Sequence, residues 1–204
     1  MNYFGHALVA SWRAAPAATV LGAMLPDFSS MCRARLARAQ HAEVDTGLAL
    51  HHATDAAFHD LPAVVGLMRE LDARLDRLGC ARGPRRAVAH VGIELLLDGV
   101  FVDDAAARAS YLAGVATDVA VDWEHEGAPR FAMLRARLRQ YGVPEDLRDP
   151  DAITERLARV LGGRPLLAPA PADLRAIHTA LVEQRPRVCV AADTVLRGVR
   201  TRLT

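Results

Sequence analysis

The chain has 204 residues, 51% of them hydrophobic and 24% charged, with a formal net charge of +1 at pH 7. Those values fit one compact folded domain spanning 1–204 and exclude a disordered chain. So even a balance leaves no long-range field to draw in nucleic acid or an anionic membrane. All 25 basic residues are Arg. Arg grips phosphate bidentately, so a local anion-binding cluster stays open. The three cysteines, Cys32, Cys80 and Cys189, form no CxxC pair. The spacing and the odd count point to reduced thiols rather than a disulfide framework or a zinc-thiolate site.

Apolar residues recur every three to four positions and strict alternation is scarce, so the elements read as helices. The first covers about 2–13. A second, short one covers about 17–25 and is ended by Pro26. Asp45 or Thr46 caps a third helix carrying "GLALHHATDAAFHDLP", which "HDLP" breaks near 59–62. "AVVGLMRELDARLDRLG" is an amphipathic helix closed by Gly79, with Glu70 and Asp72 facing water. The next helix follows Gly83-Pro84 and is apolar enough to be the central buried one. Asp103 or Asp104 caps a further helix into "YLAGVATDVAVDW". Helices ending at Gly142 and at Gly162-Gly163 follow, and then a long terminal helix or a Pro-interrupted pair. The fold class expected is all-α, a single-domain helical bundle.

The N-terminus has no basic segment before its apolar run, which makes it a poor signal peptide. The most apolar stretch, "AVAHVGIELLLDGVFV", contains His90, Glu94 and Asp98 and is too short and polar to span a bilayer. A soluble, cytoplasmic protein is expected.

Chemistry concentrates on two helices. His51 and Asp55 are four residues apart and share a face; His90, Glu94 and Asp98 repeat that spacing on the most apolar helix. His6 and Asp27 are two further candidates. An ionised carboxylate among Val, Ile and Leu is costly unless paired or metal-bound, and imidazole with carboxylate suits Mn, Fe, Zn or Mg. The competing reading is an ion-pair network with Arg85 or Arg86, or His–carboxylate hydrogen bonds that fix packing. His41, His125 and His178 read as solvent-facing or satisfied, and His59 as part of the "HDLP" turn. Other templates fail. "LGG" at 161–163 follows a helix instead of opening one, there is no GxSxG elbow, and Trp12, Tyr111 and Trp123 are too scattered to stack nucleic-acid bases.

"MNYFGHALVA", "LGAMLPDF" and "GLALHHATD…HDLPAV", in this order and spacing, resemble the bacterial acyl carrier protein phosphodiesterase family. The resemblance implies an HD-like, all-helical, metal-dependent phosphohydrolase that releases 4′-phosphopantetheine from holo acyl carrier protein. It also implies metal ligands at His6, Asp27, His51 and Asp55. His52 stands where the family has an arginine. On the next helix His90 and Glu94 replace the family's Asp and Asp-His pattern, so the metal shell there is rebuilt. The expected ligand set is therefore His6, Asp27, His51, Asp55, His90 and Glu94, holding a divalent metal: Mn or Mg, with Fe or Zn as alternatives. His52 and Asp98 are the expected general acids for the leaving alkoxide. The expected partner is an acyl carrier protein or another phosphodiester substrate. An acidic carrier would dock on Arg33, Arg35 and Arg38, a run that as a helix face could equally be merely solvated. Two alternatives are an HD-like di-iron oxygenase and a non-catalytic helical binding protein with a residual polar cluster.

Overall fold

The computed structural model describes residues 1–39 and 41–204, with the side chains of 1–37 and 41–204. Among the described residues the chain is all-α apart from one two-stranded ribbon. In order it forms α1 (Tyr3–Ser11), α2 (Ala17–Cys32), β1 (Leu36–Ala39), α3 (Ala42–His59), α4 (Pro62–Arg77), α5 (Arg82–Phe101), α6 (Ala105–Ala116), β2 (Val121–Trp123) and α7 (Gly127–Tyr141). A 3-10 turn (Glu145–Arg148), α8 (Pro150–Gly162) and α9 (Pro171–Arg202) complete it. No described helix is long and apolar enough to cross a membrane.

The chain divides into two compact units. The first takes Met1–Ala56 and Phe101–Pro144, with Leu203; the second takes Ala57–Val100 and Glu145–Arg202, with Thr204.

In the first unit α1, α2, α6 and α7 enclose an aromatic cluster. Tyr3 packs on Phe28 and Tyr111, Phe4 on Tyr111, and Phe28 on Phe131, with centroids 5.4–6.3 Å apart. Asp104 caps α6 as the sequence indicates, its carboxylate accepting from the Ala107 N–H at 2.7 Å. The helix stops at Ala116, however, and "VDW" forms β2, antiparallel to β1. The arginine run is therefore no helix face. Arg33 ends α2 in the left-handed region (φ 50°) and is exposed, as is Arg35 in the connection before β1. Arg38 lies in β1, and its side chain is outside those described.

The second correction is at Pro26, which sits inside α2 instead of ending it. A proline removes one helical hydrogen bond and crowds the carbonyl four residues back, here that of Gly22. The apolar face of α2 compensates, because Leu21, Met24, Leu25 and Phe28 are all fully enclosed. Burial on both sides of the break outweighs the lost bond.

In the second unit α4, α5, the 3-10 turn, α8 and α9 enclose Leu71, Leu75, Val88, Ile93, Leu157, Leu161, Ile177, Leu181, Val188 and Val195. Gly79, at φ +76°, closes α4: its N–H donates to the Asp76 carbonyl and that of Cys80 to the Leu75 carbonyl. Asp149 caps α8, and α9 is one continuous helix with Pro186 inside it. Arg85 is held by Asp72 (3.1 Å) and Asp76. Glu70 faces Arg187 and Gln184.

Candidate metal centre

Three helices of the first unit converge on one polar point. Tyr3, Phe4, Ala7, Leu8, Val9 and Ala10 are all buried, so α1 is apolar around its circumference and carries His6 inward with them, 1% exposed. Asp27 follows Pro26 on α2. His51 and Asp55 project from α3, one turn apart.

The approach of α3 to α2 depends on two glycines. A Cβ on Gly47 would collide with the Thr19 carbonyl and lie 2.7 Å from the Gly22 Cα; one on Gly22 would collide with the Val44 carbonyl. Only hydrogen at both positions lets the backbones meet this closely. One turn beyond Gly47, the ring of His51 reaches the Ala23 carbonyl, with Nδ1 2.9 Å from that oxygen.

A carbonyl only accepts, so His51 Nδ1 carries the proton. Its Nε2 is thereby turned to the cluster, 3.4 Å from Asp55 Oδ2. An Nδ1–H held by a backbone carbonyl with Nε2 presented is the arrangement that orients ligating histidines.

His6 Nε2 lies 2.9 Å from the Met1 carbonyl, 3.3 Å from Asp55 Oδ1 and 3.9 Å from Asp27 Oδ2. Its Nδ1 is buried without a hydrogen-bond partner. The His6 and His51 rings stack at 3.9 Å, and the Met1 ammonium donates to Asp55 Oδ1 at 2.7 Å.

These contacts set the charges. Burial depresses the His6 imidazole to about 4 against a partial counter-effect from Asp55, so the ring is neutral at pH 7. For His51, burial again pulls downward. The Asp55 hydrogen bond, the Asp27 charge and the Ala23 carbonyl outweigh it, and the net shift is upward. Burial would raise Asp55, but His51, His6 and the ammonium hold it well below the usual carboxylate range. The stacked imidazoles thus share at most one charge, between two carboxylates.

Donor atoms of His6, Asp27 and His51 all lie within 4.8 Å of one another, a group that could hold a metal ion. Two imidazoles and a carboxylate suit a divalent transition metal, with Asp55 placed against both histidines. The partnerless nitrogen of His6 is the kind of buried polar atom that a binding site accounts for.

The structure distributes the other expected residues differently. His90 and Glu94 belong to the second unit, where they meet His59. His59 Nε2 is 3.5 Å and His90 Nε2 3.3 Å from the same Glu94 oxygen. The six expected ligands therefore fall into two groups among the described residues, because His90 and Glu94 converge on a histidine that the sequence assigned to a turn. His59 in fact closes α3, four residues after Asp55, so its spacing was the available signal and "HDLP" masked it.

Of the two expected general acids, His52 is exposed and lies edge-on to His51, with centroids 5.4 Å apart. Asp98 is 0% exposed, closed off from any substrate arriving from solvent, and that role does not fit it. The Ala23 carbonyl and the Met1 ammonium were not legible in the sequence, since both are backbone groups that only the fold brings to Asp55 and His51. No protein-family model matches the chain, and no curated protein or solved structure matches it either.

Proposed function

We propose that the protein is a metal-dependent phosphodiester hydrolase, with an acyl carrier protein bearing a 4′-phosphopantetheine arm as its substrate. One observation carries the metal reading: His51 is locked through Nδ1 to the Ala23 carbonyl, so that Nε2 is offered beside Asp27, Asp55 and His6. The likeness of "MNYFGHALVA", "LGAMLPDF" and "HHATD" to acyl carrier protein phosphodiesterases supports the reaction class and the substrate.

A bound Mn²⁺, Fe²⁺ or Zn²⁺, held by His6, Asp27 and His51, would lower the pKa of water and neutralise charge on non-bridging phosphate oxygens. His6 enters this chemistry neutral, with Nε2 donating to the Met1 carbonyl and Nδ1 left as the acceptor that could ligate. Asp55 stays ionised throughout the working range and holds His51 in orientation. The role of protonating the leaving serine alkoxide falls in this reading to His52, which is exposed and edge-on to His51. Exposed Arg33 and Arg35 supply cations for an acidic carrier.

The test incubates the chain with holo acyl carrier protein and Mn²⁺ or Zn²⁺ and follows loss of the phosphopantetheine arm by mass spectrometry. Metal-dependent loss is expected, and its abolition in Asp55→Ala. An intact carrier in the presence of demonstrably bound metal would remove the substrate assignment, and an active Asp55→Ala protein would remove the site.

A further inference from the structure

We infer that the second unit holds its own divalent transition-metal site, formed by His59, His90 and Glu94. The inference does not rest on the phosphodiesterase reading. His59 comes from the last turn of α3, and His90 and Glu94 are one turn apart on α5. Both Nε2 atoms lie near one oxygen, Glu94 Oε1, at 3.5 Å and 3.3 Å, and the two rings lie nearly parallel (17°) with centroids 4.7 Å apart.

Those separations are long for hydrogen bonds from imidazole to carboxylate, which fall at about 2.7–2.9 Å when charge-assisted. They match the edge of a coordination tetrahedron instead. Ligand bonds of about 2.0–2.1 Å at a tetrahedral angle place neighbouring donors about 3.3–3.4 Å apart. The donor set decides the kind of ion. Two imidazoles and one carboxylate select Zn²⁺ and similar borderline ions over Mg²⁺ or Ca²⁺, which take oxygen shells.

Burial is graded as a metal site with an open position requires. The Glu94 side chain is 11% exposed, that of His59 32% and that of His90 51%, so the carboxylate is fixed in the core while the imidazoles meet solvent. An ion can enter from the side on which the imidazoles are exposed. Three protein ligands leave a fourth place for water or an exogenous anion, the pattern of reactive zinc rather than of closed structural zinc.

The test strips the full chain with chelator, restores Co²⁺, and records the visible d–d absorption of four-coordinate cobalt, with metal counted by mass spectrometry. Wild type is expected to show the band and to lose it to competing Zn²⁺. His90→Ala, a substitution at a half-exposed position that leaves the core intact, is expected to bind one equivalent fewer and to lose at least 90% of the band from this site. Glu94→Gln should do the same at nearly constant volume. His51→Ala is expected to keep the band, which separates this site from the one in the first unit. An unchanged metal count and spectrum in both His90→Ala and Glu94→Gln would overturn the proposal. So would a stripped, folded protein that takes up no Co²⁺ or Zn²⁺ at millimolar concentration.

Discussion

Gly47 lies against Gly22 so closely that a methyl group on the former would stand 2.7 Å from the Cα of the latter and strike the Thr19 carbonyl. The obstacle is backbone on both sides, which no rotamer change relieves. Gly47→Ala is therefore expected to cost about 2–3 kcal/mol of stability or more, as overpacking against rigid neighbours does. It should also weaken metal binding in the first unit, because His51 rides one turn further along the same helix. Urea unfolding and metal titration check the two effects; a substitution that leaves both unchanged would refute the close-approach account.

Removing ligands is expected to separate binding from folding. His51→Ala takes away both the Ala23 contact and the presented Nε2. It should lower metal affinity in the first unit at least 100-fold while far-ultraviolet circular dichroism shows the helices retained. Asp55→Asn keeps the shape of the side chain and loses its charge. A smaller drop in affinity than in His51→Ala is expected, together with a further depression of the His6 imidazole, since Asp55 is what partly offsets its burial. Isothermal titration with Mn²⁺ and Zn²⁺ provides the comparison.

Acid stability follows from the same residues. The folded His6 value of about 4 lies below its ordinary 6.5, so the unfolded chain binds more protons between those limits. Stability should fall as pH drops from 6.5 towards 4, by about 3 kcal/mol from this group. Asp55, depressed in the folded state, adds a further loss below its ordinary value of 3.8. His51 works in the opposite sense: its raised value contributes stability below 6.5 that disappears as pH climbs through that higher value. In metal-free protein the urea midpoint is expected to peak near pH 6.5. His6→Gln should flatten the acid limb between 4 and 6.5; an unaltered limb would contradict the burial-driven shift.

Thiol reactivity should discriminate the cysteines. Cys80 is buried and pushed up to about 12, first by burial and then by Asp173 beside it, and burial raises Cys32 too. Cys189 is exposed on α9. Native protein at pH 7.5 is expected to react rapidly with one equivalent of maleimide and to yield all three thiols only in denaturant. Fast modification of two or more native thiols would show that the packing around Cys32 or Cys80 is looser than described.

Much of the fold was legible because helices announce themselves through three- and four-residue recurrence and through their caps, as Asp104, Asp149 and Gly79 show. The exceptions have local causes. Pro26 reads as a stop, yet burial of Leu25 and Phe28 carries α2 through it. β1 and β2 are four and three residues long, too short for alternation to register. His51 and Asp55 were recoverable by type and spacing, and His6 and Asp27 by type and through the family resemblance. The grouping of His90 and Glu94 with His59 was not, because periodicity within one helix says nothing about which neighbouring helix its face meets.

Pro26 and His51 together have an implication for how the first unit could be altered. Pro26 deprives the Gly22 carbonyl of its helical partner, one residue before the Ala23 carbonyl on which the His51 ring proton docks, so a break in one helix and a ring from another meet in the same turn. Pro26→Ala would smooth that turn and is the kind of exchange that raises helix stability elsewhere. Since the Ala23 carbonyl itself still accepts the His51 proton, that exchange separates the effect of the helix break from that of the docking carbonyl on which nitrogen of His51 is presented.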